Sequence, residues 1–300
     1  MTQAEYSSDS GPANATRRLL VFGLGYTGTA IAAGAAARGW SVVATSREPD
    51  RCTPPHGVEL VAFAEARFDR VTHILETAAP DETGDPALAR HEAALAAAPL
   101  RWAGLLSTTG VYGDRGGAWV DEQTQPQPTG PRGTRRLETE RQWTAAFERC
   151  AVDLFRVAGI YGPGRSPFAD IREGRARRVD KPGHCFGRIH RDDIAGAVIA
   201  AMEQHRPPGP RVLNLTDDEP AESAATTAEA ARLIGLEPPP LVPFEQALAT
   251  MSPMGRSFWA ENRRVASRKT QDALGRAWTY PDYRAGLRAI LEQERAQGTP

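Results

Sequence analysis

From Arg18 onward the chain alternates between apolar runs of strand length and longer mixed stretches of helical length. RLLVF at 18–22 is followed by a glycine turn, an alanine-rich helix reaching Arg38, and a second apolar run, SVVAT, at 41–45. Short continuous apolar runs bounded by turn residues fit buried strands, so this stretch predicts a strand, helix, strand unit of about 30 residues. Further strands are predicted at VELVAF (58–63), THILET (72–77), WAGLLST (102–108), VDLFRVA (152–158) and RVLNLT (211–216), with helical stretches between most of them. Alternation of this kind predicts an α/β fold, a Rossmann-type doubly wound parallel sheet covered by helices on both faces.

The pattern changes after Gly162. PGRSPFADIREGRARRVDKPGHCFG is rich in Gly, Pro and Arg, and GLEPPPLVPF at 235–244 shares that character. These segments are expected to build a smaller C-terminal substrate lobe from residues 162–190 and 217–300, leaving 18–161 with 191–216 to the sheet domain. RVASRKTQDALG followed by WTYPDYRAGLRAILEQERA reads as a short helix, a Tyr-Pro turn and a final amphipathic helix. Residues 1–17 are polar, without an apolar run, and read as a disordered tail.

Composition narrows the function classes. A chain of 300 residues that is 41% hydrophobic can form one α/β domain with insertions or two unequal domains. With 36 basic against 37 acidic residues the net charge is −1, so no global field attracts nucleic acid or an anionic membrane, and anion binding must be local. The basic stretch REGRARRVDK at 172–181 is interrupted by Glu173 and Asp180, so a nucleic-acid partner is not expected. Cys52, Cys150 and Cys185 are far apart, odd in number and form no CxxC pair. That argues against a disulfide framework or a zinc site and fits a reducing, cytoplasmic setting. The most apolar run, AIAAGAAA at 30–37, is short and ends at Arg38, as a packed helix does; no membrane segment is expected.

Candidate chemistry begins at GLGYTG, residues 23–28, placed between a strand and a helix. Gly23 permits a tight turn, Gly25 lets backbone amides approach a pyrophosphate, and Gly28 allows close packing of helix on strand. Leu24, Tyr26 and Thr27 complete the loop, and the helix N-terminus supplies amides and positive potential for an anion. A plain structural turn is the other reading. About 20 residues on, where an NAD site has an acidic residue for the ribose, stand Thr45, Ser46 and Arg47. Hydroxyls and a guanidinium suit a 2′-phosphate, so NADP is expected in preference to NAD. The alternative is a solvated Arg47 with Glu48 or Asp50 at the ribose. Thr77 and Ala78, where the strand THILET ends, are further cofactor candidates.

LLSTTGVYGD (105–114) ends another strand, where open α/β sheets bind ligands. Ser107, Thr108, Thr109 and Tyr112 are placed there to orient a carbonyl or hydroxyl, although Ser and Thr are equally ordinary in turns. FRVAGIYGPGR (155–165) is a strand running into a glycine-proline turn, with Tyr161 and Arg165 near its end. In FGRIHRDDIAGAVIAAM (186–202), Asp193 is expected to cap a helix starting near Ile194, and His190 is either a titrating group or a structural histidine. No second His or carboxylate stands at a metal-ligand spacing. PRGTRRLETE (131–140), read as a helix, puts Arg132, Arg136 and Glu140 on one face.

Taken in order, GLGYTG, STTGVYGD, RVAGIYGPGR and RIHRDDIA resemble the extended short-chain dehydrogenase/reductase superfamily, the group of NAD-dependent epimerases and dehydratases, from Arg18 to about Leu291. NLTDDEP and the RVASRK…LG…YPDY tail add support. The resemblance implies a nicotinamide cofactor and hydride transfer assisted by a Tyr-x-x-x-Lys pair and a Ser or Thr. Thr108 matches the Ser/Thr position. Arg132 and Arg136 stand where Tyr and Lys are implied, as in an atypical branch lacking that pair.

Arginine cannot cycle protons near neutral pH, so Arg132 cannot replace the tyrosine as an acid. It can bind a carboxylate or phosphate bidentately, and Arg136 can bond ribose hydroxyls as a lysine would. The bland reading is a solvated face with both arginines paired to Glu138 and Glu140. Tyr112 is the nearest phenol for proton transfer, with Thr108 as a relay through water. Arg132, Tyr161, Arg165 and His190 are expected around the substrate. The expectation is an NADP(H)-binding oxidoreductase or epimerase-like enzyme for a polar, anionic small molecule, with a homodimer compatible with such folds by analogy. The rival is a non-catalytic NAD(P)-binding regulator or redox sensor.

Overall fold

The computed structural model describes residues 17–298, so the tail expected at 1–17 lies outside them except for Arg17. The first half runs β1 (Arg18–Phe22), α1 (Tyr26–Ala36), β2 (Ser41–Ser46), β3 (Val58–Ala62), β4 (His73–Glu76), α2 (Pro86–Ala97), β5 (Trp102–Thr108), β6 (Trp119–Val120), α3 (Pro131–Ala146) and β7 (Ala151–Val157). Next come β8 (Gly159–Tyr161), α4 (Phe168–Arg172), β9 (Arg178–Asp180), β10 (Cys185–Phe186), β11 (Arg188–His190), α5 (Arg191–Glu203) and β12 (Gly209–Leu215). The chain continues with β13 (Ala221–Glu222), α6 (Ser223–Leu233), β14 (Leu241–Pro243), α7 (Phe244–Thr250) and α8 (Pro253–Trp259). It closes with β15 (Arg264–Val265), α9 (Arg268–Leu274) and α10 (Tyr283–Ala296).

Each long apolar run became a strand of one 7-stranded sheet, in the order β12-β7-β5-β4-β1-β2-β3, with every pairing parallel. Helices cover both faces, which is why these strands are apolar along their length and do not alternate. Ile31, Ala35, Val198 and Ile199 of α1 and α5 pack on one face; Ala87, Leu95 and Trp143 of α2 and α3 pack on the other. The strand order reverses between β1 and β4, and Phe22 of β1 pairs in register with Thr45 of β2 and Glu76 of β4. A crevice at the C-terminal ends of these strands is the topological consequence.

The Gly/Pro/Arg-rich segments supply β9, β10 and β14, with β9 paired to β14 and β10 to β13, and the first of them is flanked by the paired strands β8 and β11. Phe168 and Ile171 of α4, Ala230 and Ala231 of α6, and Leu287 and Ile290 of α10 share a separate apolar cluster with Tyr161. The tail matches its reading, with Gly275 closing α9 in the left-handed conformation at φ 62°. Among the described residues no helix is long and apolar enough to cross a membrane.

The expected start of α5 needs correction. The helix begins at Arg191, and its N-cap is His190, whose Nδ1 accepts from the Asp192 amide at 3.2 Å. Asp193, 0% exposed, accepts instead from the amides of Thr279 and Tyr280 at 2.8 and 2.9 Å and pairs with Arg276 at 3.5 Å. A carboxylate turned toward two free amides of the tail gains more than one capping its own helix, because both amides would otherwise lose water without a partner. Asp193→Ala is therefore expected to lower unfolding free energy by about 3 kcal/mol, read from urea denaturation; a change within about 0.5 kcal/mol would refute the role given to this carboxylate.

Candidate functional site

The glycine turn is built by contacts from both neighbouring strands. Gly23 has φ +94°, and a Cβ there would lie 2.8 Å from Thr77 Oγ1. The Thr77 hydroxyl donates to the carbonyls of Gly23 and Phe22, at 2.7 and 3.0 Å. The amides of Gly23 and Leu24 donate to Thr45 Oγ1 and to the Thr45 carbonyl, at 3.3 and 3.0 Å. A Cβ on Gly28 would overlap the Gly23 carbonyl oxygen, so α1 can pack this closely on the turn only with glycine there. Gly25 is the N-cap of α1 and offers no side-chain cap, and a Cβ added to it would meet nothing within 4 Å. The first amides of α1 thus open onto the crevice with their donors uncommitted.

Thr45 is fully buried as part of that turn. Ser46 Oγ accepts from the Glu48 amide at 3.1 Å and lies 3.3 Å from Cys52 Sγ. Arg47 is exposed and makes no ion pair or side-chain hydrogen bond among the described residues, whereas Glu48 pairs with Arg51 at 2.7 Å. Across the crevice, Ala78 donates its amide to Glu76 Oε1 at 2.6 Å and accepts from Arg136 Nη1 at 3.3 Å.

The end of β5 is tied to α3. Ser107 donates to Glu140 Oε1 at 2.5 Å, and Arg156 reaches the same carboxylate through Nε at 3.1 Å and Nη2 at 2.8 Å, both charges being buried. The Arg156 guanidinium lies 4.8 Å from the centre of the Tyr112 ring, and the Tyr112 hydroxyl donates to Asn214 Oδ1 at 2.7 Å. Tyr112 is 0% exposed, and burial raises its phenol further. Its proton faces an amide oxygen in the core and not the crevice. Thr108 is half-buried and its hydroxyl accepts from the Gly110 amide at 3.1 Å, while Thr109 is buried. Gly133 seats α3 on this turn, since a Cβ there would come 2.8 Å from the Gly110 carbonyl oxygen.

The helix arginines do not pair with Glu138 and Glu140. Glu140 is taken by Arg156, and Glu138 by Arg141 at 3.5 Å. Arg132 is exposed; it lies 5.0 Å from the centre of the Phe258 ring and 3.7 Å from Met254 Sδ, both on α8. Arg136 is half-buried, and desolvation lowers its guanidinium while Glu76, Asp85 and Glu140 oppose the shift. Burial raises the Glu76 carboxyl well above its ordinary value, with Asp85 adding to the effect, and burial raises Asp85 too. Glu76 Oε2 and Asp85 Oδ2 are buried without a partner. Neither acid stood out in the sequence. Glu76, a single charge closing an apolar strand, was the available signal.

Tyr161 is buried, its hydroxyl 3.4 Å from the Asp282 carbonyl and its ring filling the space above Gly286, where burial raises the phenol. His190 is buried between Tyr161 and Tyr280, at 5.3 and 4.0 Å between ring centres, and desolvation lowers it, so the ring is neutral near pH 7. Arg165 is exposed, with its guanidinium 5.8 Å from the Tyr26 ring centre. The structure therefore gathers the glycine turn, Arg165 and His190 in one place, and Ala78, Arg136 and Arg132 along α3 in another. No cluster of metal-ligating side chains occurs among the described residues.

One buried acid beside this region gives a pH-dependent stability. Asp217 is 1% exposed with neither carboxyl oxygen partnered, and burial pushes it from 3.8 up to about 8 against the pull of Arg188. Its folded pKa exceeds the unfolded one, so an ionised unfolded state competes increasingly as pH rises from about 4 to about 8. Asp217→Asn is expected to melt with the wild type at the acid end of that window and a few degrees above it at the alkaline end, as followed by thermal denaturation. Parallel melting curves across the window would show that the carboxyl is not held protonated.

No family model matches the chain. The solved structure of a functionally unknown conserved protein from Silicibacter pomeroyi DSS is 44% identical, with a TM-score of 0.84 over 93% of this chain and 99% of that one. Human epimerase family protein SDR39U1, solved with NADPH, is 21% identical with a TM-score of 0.72, over 92% of this chain and 99% of that one. Among curated sequences, protein YeeZ of Escherichia coli K12 is 27% identical over 298 residues, 89% of this chain and 97% of that protein. The 3-diazoavenalumate denitrifying reductase of a Streptomyces species is 28% identical over 235 residues, 75% of this chain and 72% of that protein.

Proposed function

We propose that the chain, whose fold and ordered motifs resemble those of the extended short-chain dehydrogenase/reductase superfamily, is an NADP(H)-binding oxidoreductase or epimerase-like enzyme acting on a polar, anionic small molecule. The observation that carries this reading is the uncapped N-terminus of α1, open at Gly25 where the strand order reverses, with the uncommitted Arg47 at the end of the neighbouring strand. The NADPH of the human relative and the reductase activity named for the Streptomyces relative point the same way.

In this reading the amides from Gly25 to Gly28 take the pyrophosphate, those of Gly23 and Leu24 being held by Thr45; Ser46 and Arg47 take the 2′-phosphate, and Thr77 and Ala78 line the crevice wall. Arg136, fixed at the Ala78 carbonyl, offers its remaining N–H groups to the ribose hydroxyls. When bound, the nicotinamide supplies hydride chemistry. Thr108 orients the substrate carbonyl or hydroxyl, and Arg132, exposed beside the apolar Met254 and Phe258, grips a carboxylate or phosphate in a fork. Tyr112 has no part in the proposed machinery because its hydroxyl is committed to Asn214.

A second reading, a dinucleotide-binding regulator without chemistry, is favoured by the arginine at 132, which cannot exchange a proton. Cofactor-dependent change in partner binding, without hydride transfer to any metabolite, would select it.

Parallel fluorescence titrations with NADPH and NADH test the leading reading. NADPH is expected to bind more tightly, and Arg47→Asp to weaken NADPH about ten-fold or more while leaving NADH within about three-fold. Equal loss of both nucleotides would remove Arg47 from the 2′-phosphate, and binding of neither would reduce GLGYTG to a structural turn.

A further inference from the structure

Two guanidinium groups gather at Tyr26, the first residue of α1: Arg191 Cζ lies 5.0 Å and Arg165 Cζ 5.8 Å from its ring centre. The Tyr26 hydroxyl donates to the Pro163 carbonyl at 2.9 Å, which fixes the ring beneath the turn that carries Arg165. Gly162 makes room for this arrangement. A Cβ there would lie 2.6 Å from the Tyr26 hydroxyl, 3.2 Å from Arg191 Cβ and 3.6 Å from His190 Nε2.

The histidine adds an independent observation. His190 is 1% exposed, and its Nδ1 accepts the Asp192 amide, so the ring proton resides on Nε2. That Nε2 has no partner among the described residues, and a buried N–H without an acceptor is costly unless a ligand supplies one. Asp192 is the carboxylate of this neighbourhood; it bonds Arg191 Nε at 3.0 Å and leaves Arg165 uncompensated.

We infer that Arg165, Arg191 and His190 form the outer wall of a diphosphate site whose inner wall is the amides of α1. The ligand is the diphosphate bridge of a dinucleotide, and the inference rests on the dinucleotide reading above. It moves Arg165 and His190 from the substrate, where the sequence placed them, to the cofactor. The chemistry matches: a diphosphate carries two charges and several acceptor oxygens, and helix amides alone leave its outer oxygens unmet. Guanidinium groups held against an aromatic face supply paired N–H donors with less entropy to lose on binding.

The test titrates wild type, Arg165→Ala, Arg165→Lys and Arg191→Ala with NADPH, NADH and ADP-ribose in the absence of substrate. Each alanine variant is expected to bind all three ligands about ten-fold more weakly, because the diphosphate is common to them, and Arg165→Lys to recover part of the loss. The deficit should shrink as salt is raised. Arg47→Asp serves as contrast, since it should change the NADPH to NADH ratio while the other variants leave that ratio intact. Arg165 is exposed and its side chain makes no hydrogen bond or ion pair among the described residues, so its replacement does not threaten folding. Wild-type binding with unchanged affinities in both alanine variants would overturn the inference while sparing the dinucleotide reading. A loss confined to substrate KM, with dinucleotide affinity intact, would return Arg165 to the substrate and also overturn it. Failure of the wild type to bind any of the three would remove the reading and the inference together.

Discussion

The buried ion pair between Glu140 and Arg156 fixes the geometry on which the candidate site depends. Glu140 belongs to α3, Arg156 to β7, and Ser107 of β5 donates to the same carboxylate. Arg156 then supports the Tyr112 ring, whose hydroxyl reaches Asn214 on β12. One charge thus joins a helix to three adjacent strands. Two buried charges are expensive to desolvate, and the pair persists because several donors share the carboxylate. Sliding α3 along the sheet or rotating it would strand a charge, so the helix has one phase. That phase turns Arg136 onto the Ala78 carbonyl and leaves Arg132 exposed against α8.

This anchoring also explains the division of labour along PRGTRRLETE. At helical spacing the three residues Arg132, Arg136 and Glu140 run from the open end of the crevice into the core, and burial increases in the same order. A solvated ion-pair face would show uniform exposure. The gradient instead gives one residue to structure, one to the crevice wall and one to solvent.

The central sheet was legible because parallel strands buried on both faces leave continuous apolar runs, and every such run from RLLVF to RVLNLT became a strand. The glycine turn was legible because each glycine answers a different steric demand. Pieces such as β9 and β14 were not, since strands of 3 residues carry no periodicity. Side-chain direction was also hidden. Tyr112 and Thr108 are neighbours in STTGVYGD, yet Tyr112 is buried with its hydroxyl on Asn214 while Thr108 is half-buried with its hydroxyl on the Gly110 amide, because the helical turn over Thr109–Tyr112 rotates one side chain away from the other. Asp193 misled for a similar reason: its position before an apolar helix is what a cap looks like, and the tail amides that claim it lie more than 80 residues away, at Thr279 and Tyr280.

A chain with a net charge of −1 has no global field for an anion, and the structure answers this by segregation. Arg47, Arg136, Arg165 and Arg191 stand around the crevice formed by the glycine turn and the ends of β2 and β4. Of the acids beside it, Glu76 and Asp85 are buried and pushed toward their neutral forms and Asp192 is engaged by Arg191, which limits how far they cancel the other arginines. With screening over roughly 8 Å at physiological salt, distant surface carboxylates contribute little to the potential inside the crevice. The local field is therefore positive although the molecule is not. Such a field draws anions by placement alone, and its fixed forks of N–H donors decide which anion stays.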